Sequence, residues 1–278
     1  MASPTPSVTP TATLSPTATA TQPPTPTVTP SPTPTPTPTG AIWIPPANTS
    51  WDWQLAVPIN PATEVAMYDI DMFNNDASVI AALHSLGKKV FCYVDVGSWE
   101  NWRPDANLFP SSVLGATYSG FPDERWLDIR ATSILMPIMT ARLNLAKSKG
   151  CDGIEPDNVD GYDSTAHESS GFPLTYQHQI AYNTQIAAVA HGLGMSIGLK
   201  NDINQTADLE PYFDWALSEE CFRYDECGFF APFTAAGKAV FEVEYDLPTS
   251  SFCPQANALN FNSLLKRNSL DAYRVPCR

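Results

Sequence analysis

Acidic and aromatic side chains recur in this sequence in short clusters, each closing an apolar or β-branched run. The clusters are Tyr68-Asp69 with Asp71, Tyr93 with Asp95, Asp157-Asn158 with Asp160, Lys200-Asn201-Asp202, Glu219-Glu220 and Glu244-Tyr245. Paired carboxylates across a cleft are what glycosidic cleavage requires: one protonates the leaving oxygen, the other attacks the sugar or activates water. Trp51, Trp53, Trp99, Trp126 and Tyr162 add flat rings of the kind that stack on sugar faces. Other chemistries lack their residues. There is no phosphate-cradling glycine loop and no C-x-x-C, and His84, His167, His178 and His191 show no ligand spacing. The run from Asp157 to Asp160 is too incomplete for a calcium loop. Neither a metal nor a cofactor is expected.

The elements that must position these clusters alternate along the chain. Residues 51–57, 65–70, 89–97, 151–158, 195–201, 215–219, 239–245 and 271–275 read as eight strands. Residues 76–86, 134–149, 176–191 and 262–267 read as helices, and Gly87, Gly150, Gly194 and Gly237 follow helical stretches, where a left-handed residue is wanted. Eightfold alternation predicts an α/β fold, a (β/α)8 TIM barrel, whose active site gathers at the C-terminal ends of the strands. An open doubly wound sheet is the alternative, weakened because no G-x-G-x-x-G follows the first strand. A buried parallel strand is apolar throughout on folding grounds alone. Six strands ending in acids and tyrosines therefore point to function. Helix N-capping accounts for one or two of them, Asp76 and Asp202 being candidates.

Composition divides the chain. Residues 1–40 hold 12 Pro and 14 Thr and no Asp, Glu, Lys or Arg, so all 15 basic and 29 acidic residues lie in 41–278. The first segment lacks the apolar surface to offset ordering entropy of roughly 1–2 kcal/mol per residue. It is expected to be a disordered Pro/Thr-rich linker, with residues 41–278 as one barrel domain. A net charge of −14 argues against nucleic acid and against anionic membrane surfaces, and favours a cationic substrate. No apolar run is long enough to cross a bilayer. The Pro/Thr tract is typical of exported proteins, so a secreted protein whose signal peptide has been removed is expected, as a monomer. Six cysteines, expected in disulfides, allow 15 pairings, which sequence alone does not fix. Cys221 and Cys227 enclose a short acidic loop, Cys253 and Cys277 bracket the C-terminal segment, and those two pairings would leave Cys92 with Cys151.

The runs WDWQLAVPIN, MYDIDMF, KVFCYVDVGSWENWRPD, ERWLDIR, GCDGIEPDNVDGY, GLKND, FDWALSEECFRYDEC and AVFEVEY, in this order over residues 51–247, resemble glycoside hydrolase family 114. That family comprises endo-α-1,4-polygalactosaminidases with a TIM-barrel fold. The resemblance implies cleavage within a galactosamine-rich polysaccharide such as galactosaminogalactan, with retention at the anomeric carbon. Family members use an Asp in the fourth-strand motif and a Glu in a later strand. Here these correspond to Asp157 as nucleophile and Glu219 as acid/base. Glu220 is the rival; counting by twos from Trp215 favours Glu219. Glu155 shares the face of Asp157 and either tunes it or pairs with Lys200, the lone cation among these strand ends. Substrate contacts are expected from Trp53, Tyr68, Asp69, Tyr93, Asp95, Asn158, Asp160, Lys200, Asn201, Asp202, Glu220, Glu244 and Tyr245. Asp95 stands where the family often has a small residue, which bears on subsite preference. Asp128 is a further candidate, with an ion pair to a neighbouring Arg as its other reading. The expected partner is a cationic galactosamine-containing polysaccharide. The rival functions are a catalytically silent carbohydrate-binding barrel and a hydrolase of another amino-sugar polymer.

Overall fold

The structure, a computed structural model, describes residues 41–165 and 168–278; the segment 1–40 and His167 lie outside the described residues. Strands β1 (Trp51–Gln54), β2 (Met67–Asp71) and β3 (Lys89–Asp95) begin a parallel sheet. The chain then leaves the sheet for a small antiparallel one made of β4 (Ser98–Glu100), β5 (Leu114–Tyr118) and β6 (Phe121–Leu127). Strands β7 (Gly153–Asp157), β8 (Ser196–Lys200), β9 (Trp215–Glu219), β10 (Ala239–Glu244) and β11 (Asn262–Leu265) complete the barrel staves. Their order is β1-β2-β3-β7-β8-β9-β10-β11, all parallel, with the two-residue β12 (Val275–Pro276) antiparallel on β11. Helices α1 (Ala77–Ser85), α2 (Thr132–Lys149), α3 (Tyr176–Gly192), α4 (Thr206–Leu209), α5 (Ala231–Ala235) and α6 (Thr249–Ala258) make the crossovers. This is the TIM barrel expected.

Alternation along the staves sorts the side chains. Outward residues such as Ile70, Val90, Ile154, Ile197 and Ala216 pack against the helices. Inward ones, including Trp51, Trp53, Met67, Phe91, Trp215, Phe241 and Val243, fill the barrel floor. Phe91 stacks on Trp215 with ring centroids 4.7 Å apart. Room for that stack comes from two inward glycines: a Cβ on Gly198 would lie 2.3 Å from Trp215, and one on Gly153 would lie 2.5 Å from Phe91.

Between β11 and β1 the seam is held by side chains. Trp51 Nε1 donates to the Asn262 carbonyl at 2.8 Å, and Lys266 Nζ pairs with Asp52 Oδ1 at 3.1 Å, both members fully buried. Disulfides join Cys92 to Cys151, Cys221 to Cys227 and Cys253 to Cys277, one of the 15 pairings the sequence leaves open. Among the described residues no helix is long and apolar enough to cross a membrane.

Two element readings need correction. Residues 262–267, expected to be helical, contain the eighth stave, because the ladder to β10 overrides the helix-forming Leu, Lys and Arg. Residues 271–275, expected as the eighth strand, contribute only Val275 to β12. The β4–β6 sheet was not foreseen.

Candidate active site

The C-terminal ends of the staves open into a cavity of about 380 Å³. Its floor is an ion cluster. Lys200, the last residue of β8, points inward, and its Nζ lies 3.0 Å from Glu155 Oε1, 3.1 Å from Asp157 Oδ1 and 3.3 Å from Glu219 Oε2. The rings of Trp53 and Tyr93 lie 4.8 and 5.5 Å from the same ammonium. Burial alone would lower the Lys200 pKa, but Asp157, Glu155 and Glu219 outweigh it and hold the group well above the ordinary lysine range. One cation thus ties together three carboxyl groups from β7 and β9. The two contacts of 3.1 and 3.3 Å cap the separation of Asp157 Oδ1 and Glu219 Oε2 at about 6.4 Å.

Each of those two carboxyls is fixed by its neighbours. Asp157 Oδ1 also accepts the Asn158 N–H at 2.9 Å, and Asn158 Nδ2 donates to Asp95 at 2.8 Å. The Glu219 N–H donates to Asn201 Oδ1 at 3.0 Å, and the Tyr245 hydroxyl donates to Glu219 Oε1. Burial, reinforced by Glu219, raises the Tyr245 phenol far out of its ordinary range, so it stays a donor. Asn158, Asn201, Asp202 and Glu220 all have left-handed backbones, with φ of 59°, 49°, 42° and 57°. Such strain clusters where side chains must be aimed against the regular alternation.

Of the residues singled out in the sequence, Trp53, Tyr93, Asp157, Asn158, Asp160, Lys200, Asn201, Glu219 and Tyr245 line the cavity together. The rest lie apart from it. Tyr68 and Glu244 sit on the outward parity of their strands. The Tyr68 hydroxyl donates to the Thr63 carbonyl, and Glu244 Oε1 accepts the Phe222 and Arg223 N–H groups. Glu220 is turned away by its left-handed backbone and pairs with Arg223 at 2.8 Å. Asp95 is buried under the strand end, accepting the Gly97 and Ser98 N–H groups. Asp202 is buried against Asn183, and burial, then Asp160 and Asp163, push its pKa well up. Asp69 lies deeper in the barrel, fully buried below the cavity. Asp128 pairs with Arg130 at 2.7 Å.

The β5–β6 hairpin adds lining residues the sequence reading missed: Tyr118, Phe121 and Glu124. Phe121 is exposed at the rim, and Tyr118 packs on Trp126 at 4.7 Å. Glu124 is half-buried, with Ser98 Oγ at 3.4 Å, and burial, then Asp95, Glu100 and Asp157, push its pKa up to about 8. Tyr68 and Glu244 were open to exclusion by the same counting by twos that separates Glu219 from Glu220. Glu124 had no comparable signal, since its register is fixed by β4, more than twenty residues earlier.

A cleft with two adjoining carboxyls, a buried counter-cation and an aromatic rim is the arrangement glycoside cleavage uses. The comparisons agree. The model of glycoside hydrolase family GH114 matches residues 31–278. The chain is similar to Aspergillus fumigatus Ega3, crystallised in complex with galactosamine, at 38% identity and a TM-score of 0.80, covering 86% of this chain and 99% of that one. It shares its fold with the glycoside hydrolase domain of PelA from Pseudomonas aeruginosa, at 12% identity and a TM-score of 0.63, covering 83% and 98%. Among curated protein sequences none matches. On the family match over most of its length, and on the likeness to Ega3, the chain belongs to glycoside hydrolase family GH114.

Proposed function

We propose that this glycoside hydrolase is a secreted, endo-acting enzyme that cleaves α-1,4-linked galactosamine-rich polysaccharide with retention, using Asp157 as nucleophile and Glu219 as acid/base. The observation that carries the reading is the Lys200 contact to both carboxyls, which keeps Asp157 Oδ1 and Glu219 Oε2 within about 6.4 Å of each other. Inverting enzymes separate their carboxyls by roughly 6.5–9.5 Å to admit a water, retaining ones by about 5–5.5 Å. In the first step Glu219 gives its proton to the glycosidic oxygen while an Asp157 oxygen bonds to C1 and the C1–O bond to the leaving sugar breaks. In the second, Glu219 takes a proton from water, the hydroxyl bonds to C1, and the Asp157 ester bond breaks. Tyr245 and Asn201 hold Glu219 through both steps, and Lys200 balances the charge that moves between the two carboxyls.

Galactosamine in the Ega3 complex supports the amino-sugar assignment, as does the excess of acid in and around the cleft. Ammonium-bearing chains are drawn to such a field and oriented by it. Three disulfides and the Pro/Thr composition of residues 1–40 support an extracellular setting with that segment as a spacer. The test is digestion of deacetylated and acetylated α-1,4-galactosamine oligomers, reading product lengths, with Glu219→Gln and Glu220→Gln in parallel. Internal cuts in the deacetylated oligomer, lost in Glu219→Gln and kept in Glu220→Gln, are expected. Cleavage only of another amino-sugar polymer, or the opposite behaviour of the two variants, would overturn the assignment.

A further inference from the structure

Strand β2 sends Met67, Asp69 and Asp71 into the barrel. Asp71 is met by Arg103 Nη2 at 2.8 Å. Asp69, one rung lower, has no cation in contact among the described residues. It is fully buried, and neither oxygen receives a hydrogen bond from a described N–H or O–H; the adjacent Ile70 N–H lies near but outside hydrogen-bond geometry. A buried carboxylate without donors is costly enough that the group takes a proton instead. Its register partners on β1 and β3 are Trp53 and Phe91, both uncharged. The charged groups that face it are Glu155 from β7 and Lys200 from β8, with Glu155 in hydrogen-bonding reach. Glu155 is itself fully buried. Its Oε2 accepts Trp53 Nε1 at 2.9 Å and its Oε1 faces Lys200 at 3.0 Å. Two carboxyls thus adjoin in the barrel interior, and only one of them has donors and a cation. Burial, then the charge of Glu155, hold the Asp69 pKa well above the carboxylate range, while burial opposed by Lys200 leaves Glu155 at about 7.

We propose that Asp69 is a positioning residue: a neutral carboxylic acid that donates its proton as a hydrogen bond to Glu155, stabilising the Glu155 carboxylate as the footing of Lys200. The role rests on the reading of Asp157 and Glu219 as the catalytic pair. In a retaining cycle the charge of Asp157 disappears when the glycosyl ester forms, and Glu219 alternates between acid and base. Held by those two alone, Lys200 would have to exchange its anionic partner at mid-cycle. Glu155, satisfied by the Trp53 N–H and the Asp69 O–H, keeps the ammonium charged and in place throughout.

The test compares Asp69→Asn and Asp69→Leu in the full chain. The amide is neutral and still donates; leucine is neutral, of similar bulk, and does not. Asp69→Asn is expected to keep kcat and its pH profile close to the parent's. Asp69→Leu is expected to lose kcat by about tenfold to a hundredfold with KM little changed, the cost of a misplaced catalytic group. The infrared difference between the parent and Asp69→Asn should show a protonated carboxyl band that persists from pH 5 to pH 8, the bands of protonated Glu124 and Asp202 being common to both proteins and cancelling. Equal losses in both variants, no loss in either, or a difference band already lost by the time the pH has risen to 7 would overturn the proposal. Should Asp69→Leu fail to fold, the Asn variant and the infrared band still decide. Should the parent cleave no galactosamine polymer, the functional reading fails, while the band reports on Asp69 independently.

Discussion

Replacing Glu124 by Gln keeps the shape and a hydrogen-bond donor of the protonated acid and removes its ability to ionise. Asp95, Glu100 and Asp157 crowd Glu124 electrostatically, and the guanidinium groups nearby are engaged elsewhere. Arg103 pairs with Glu100 and Asp71, and Arg142 with Asp105 and the Asp95 carbonyl. The folded protein therefore holds the Glu124 proton up to about pH 8, whereas an unperturbed Glu releases it near 4.5. Stability from this group is complete below 4.5 and is lost as pH rises to about 8, because over that window the unfolded chain releases a proton the fold retains. At about 1.4 kcal/mol per tenfold change in protonation the loss is at most about 5 kcal/mol. Glu124 is only half-buried, and solvent screening reduces that to ~1–2 kcal/mol. Glu124→Gln escapes the loss. Its melting temperature should match the parent's near pH 4.5 and exceed it by about 3–6 °C at pH 9. Differential scanning calorimetry of both proteins across that range is the assay. An offset that does not change with pH, or a variant less stable at pH 9, refutes the reasoning.

Lys200→Met withdraws one ammonium from three carboxyls, each contact worth about 5 kcal/mol at an effective dielectric near 20. A fall in kcat of at least about a hundredfold is expected, with destabilisation of about 3–5 kcal/mol from the stranded Glu155; turnover within tenfold of the parent would contradict the role given to this cation. Gly198→Ala drives a methyl into Trp215 and should cost about 2–3 kcal/mol in urea titration. Gly192→Ala, at the end of α3 with nothing within 4 Å, is the control expected to be neutral, and equal costs would undo the packing argument.

Much of this arrangement is readable in the sequence, because parallel staves are apolar runs and the polar residues closing them stand out. Residues 89–95, 153–157 and 196–200 are legible in this way. Glycines at helix ends are too: Gly150, with φ of 106°, closes α2 where a side chain would be strained. The eighth stave was not legible, since Asn262-Ser263-Leu264-Leu265-Lys266 carries no strand signal. It is fixed by distant partners, Asn262 Nδ2 donating to Ala47 and Val240 carbonyls and Lys266 pairing with Asp52. The β5–β6 hairpin escaped for a related reason: Pro122, Asp123, Glu124 and Arg125 look like a loop until β4 pairs with Glu124, Arg125 and Trp126. Within the site, the pair Asp157 and Glu219 followed from strand parity and the family resemblance. The convergence of Glu155, Asp157 and Glu219 on one lysine depends on how three staves are packed side by side, which no single stretch of sequence encodes.

The central claim is that Asp157 and Glu219 form a retaining pair on a galactosamine polymer. Its most direct test is proton NMR of the reducing ends as they are released from a deacetylated α-1,4-galactosamine oligomer, before mutarotation. The α-anomer is expected to appear first. First appearance of the β-anomer would contradict it.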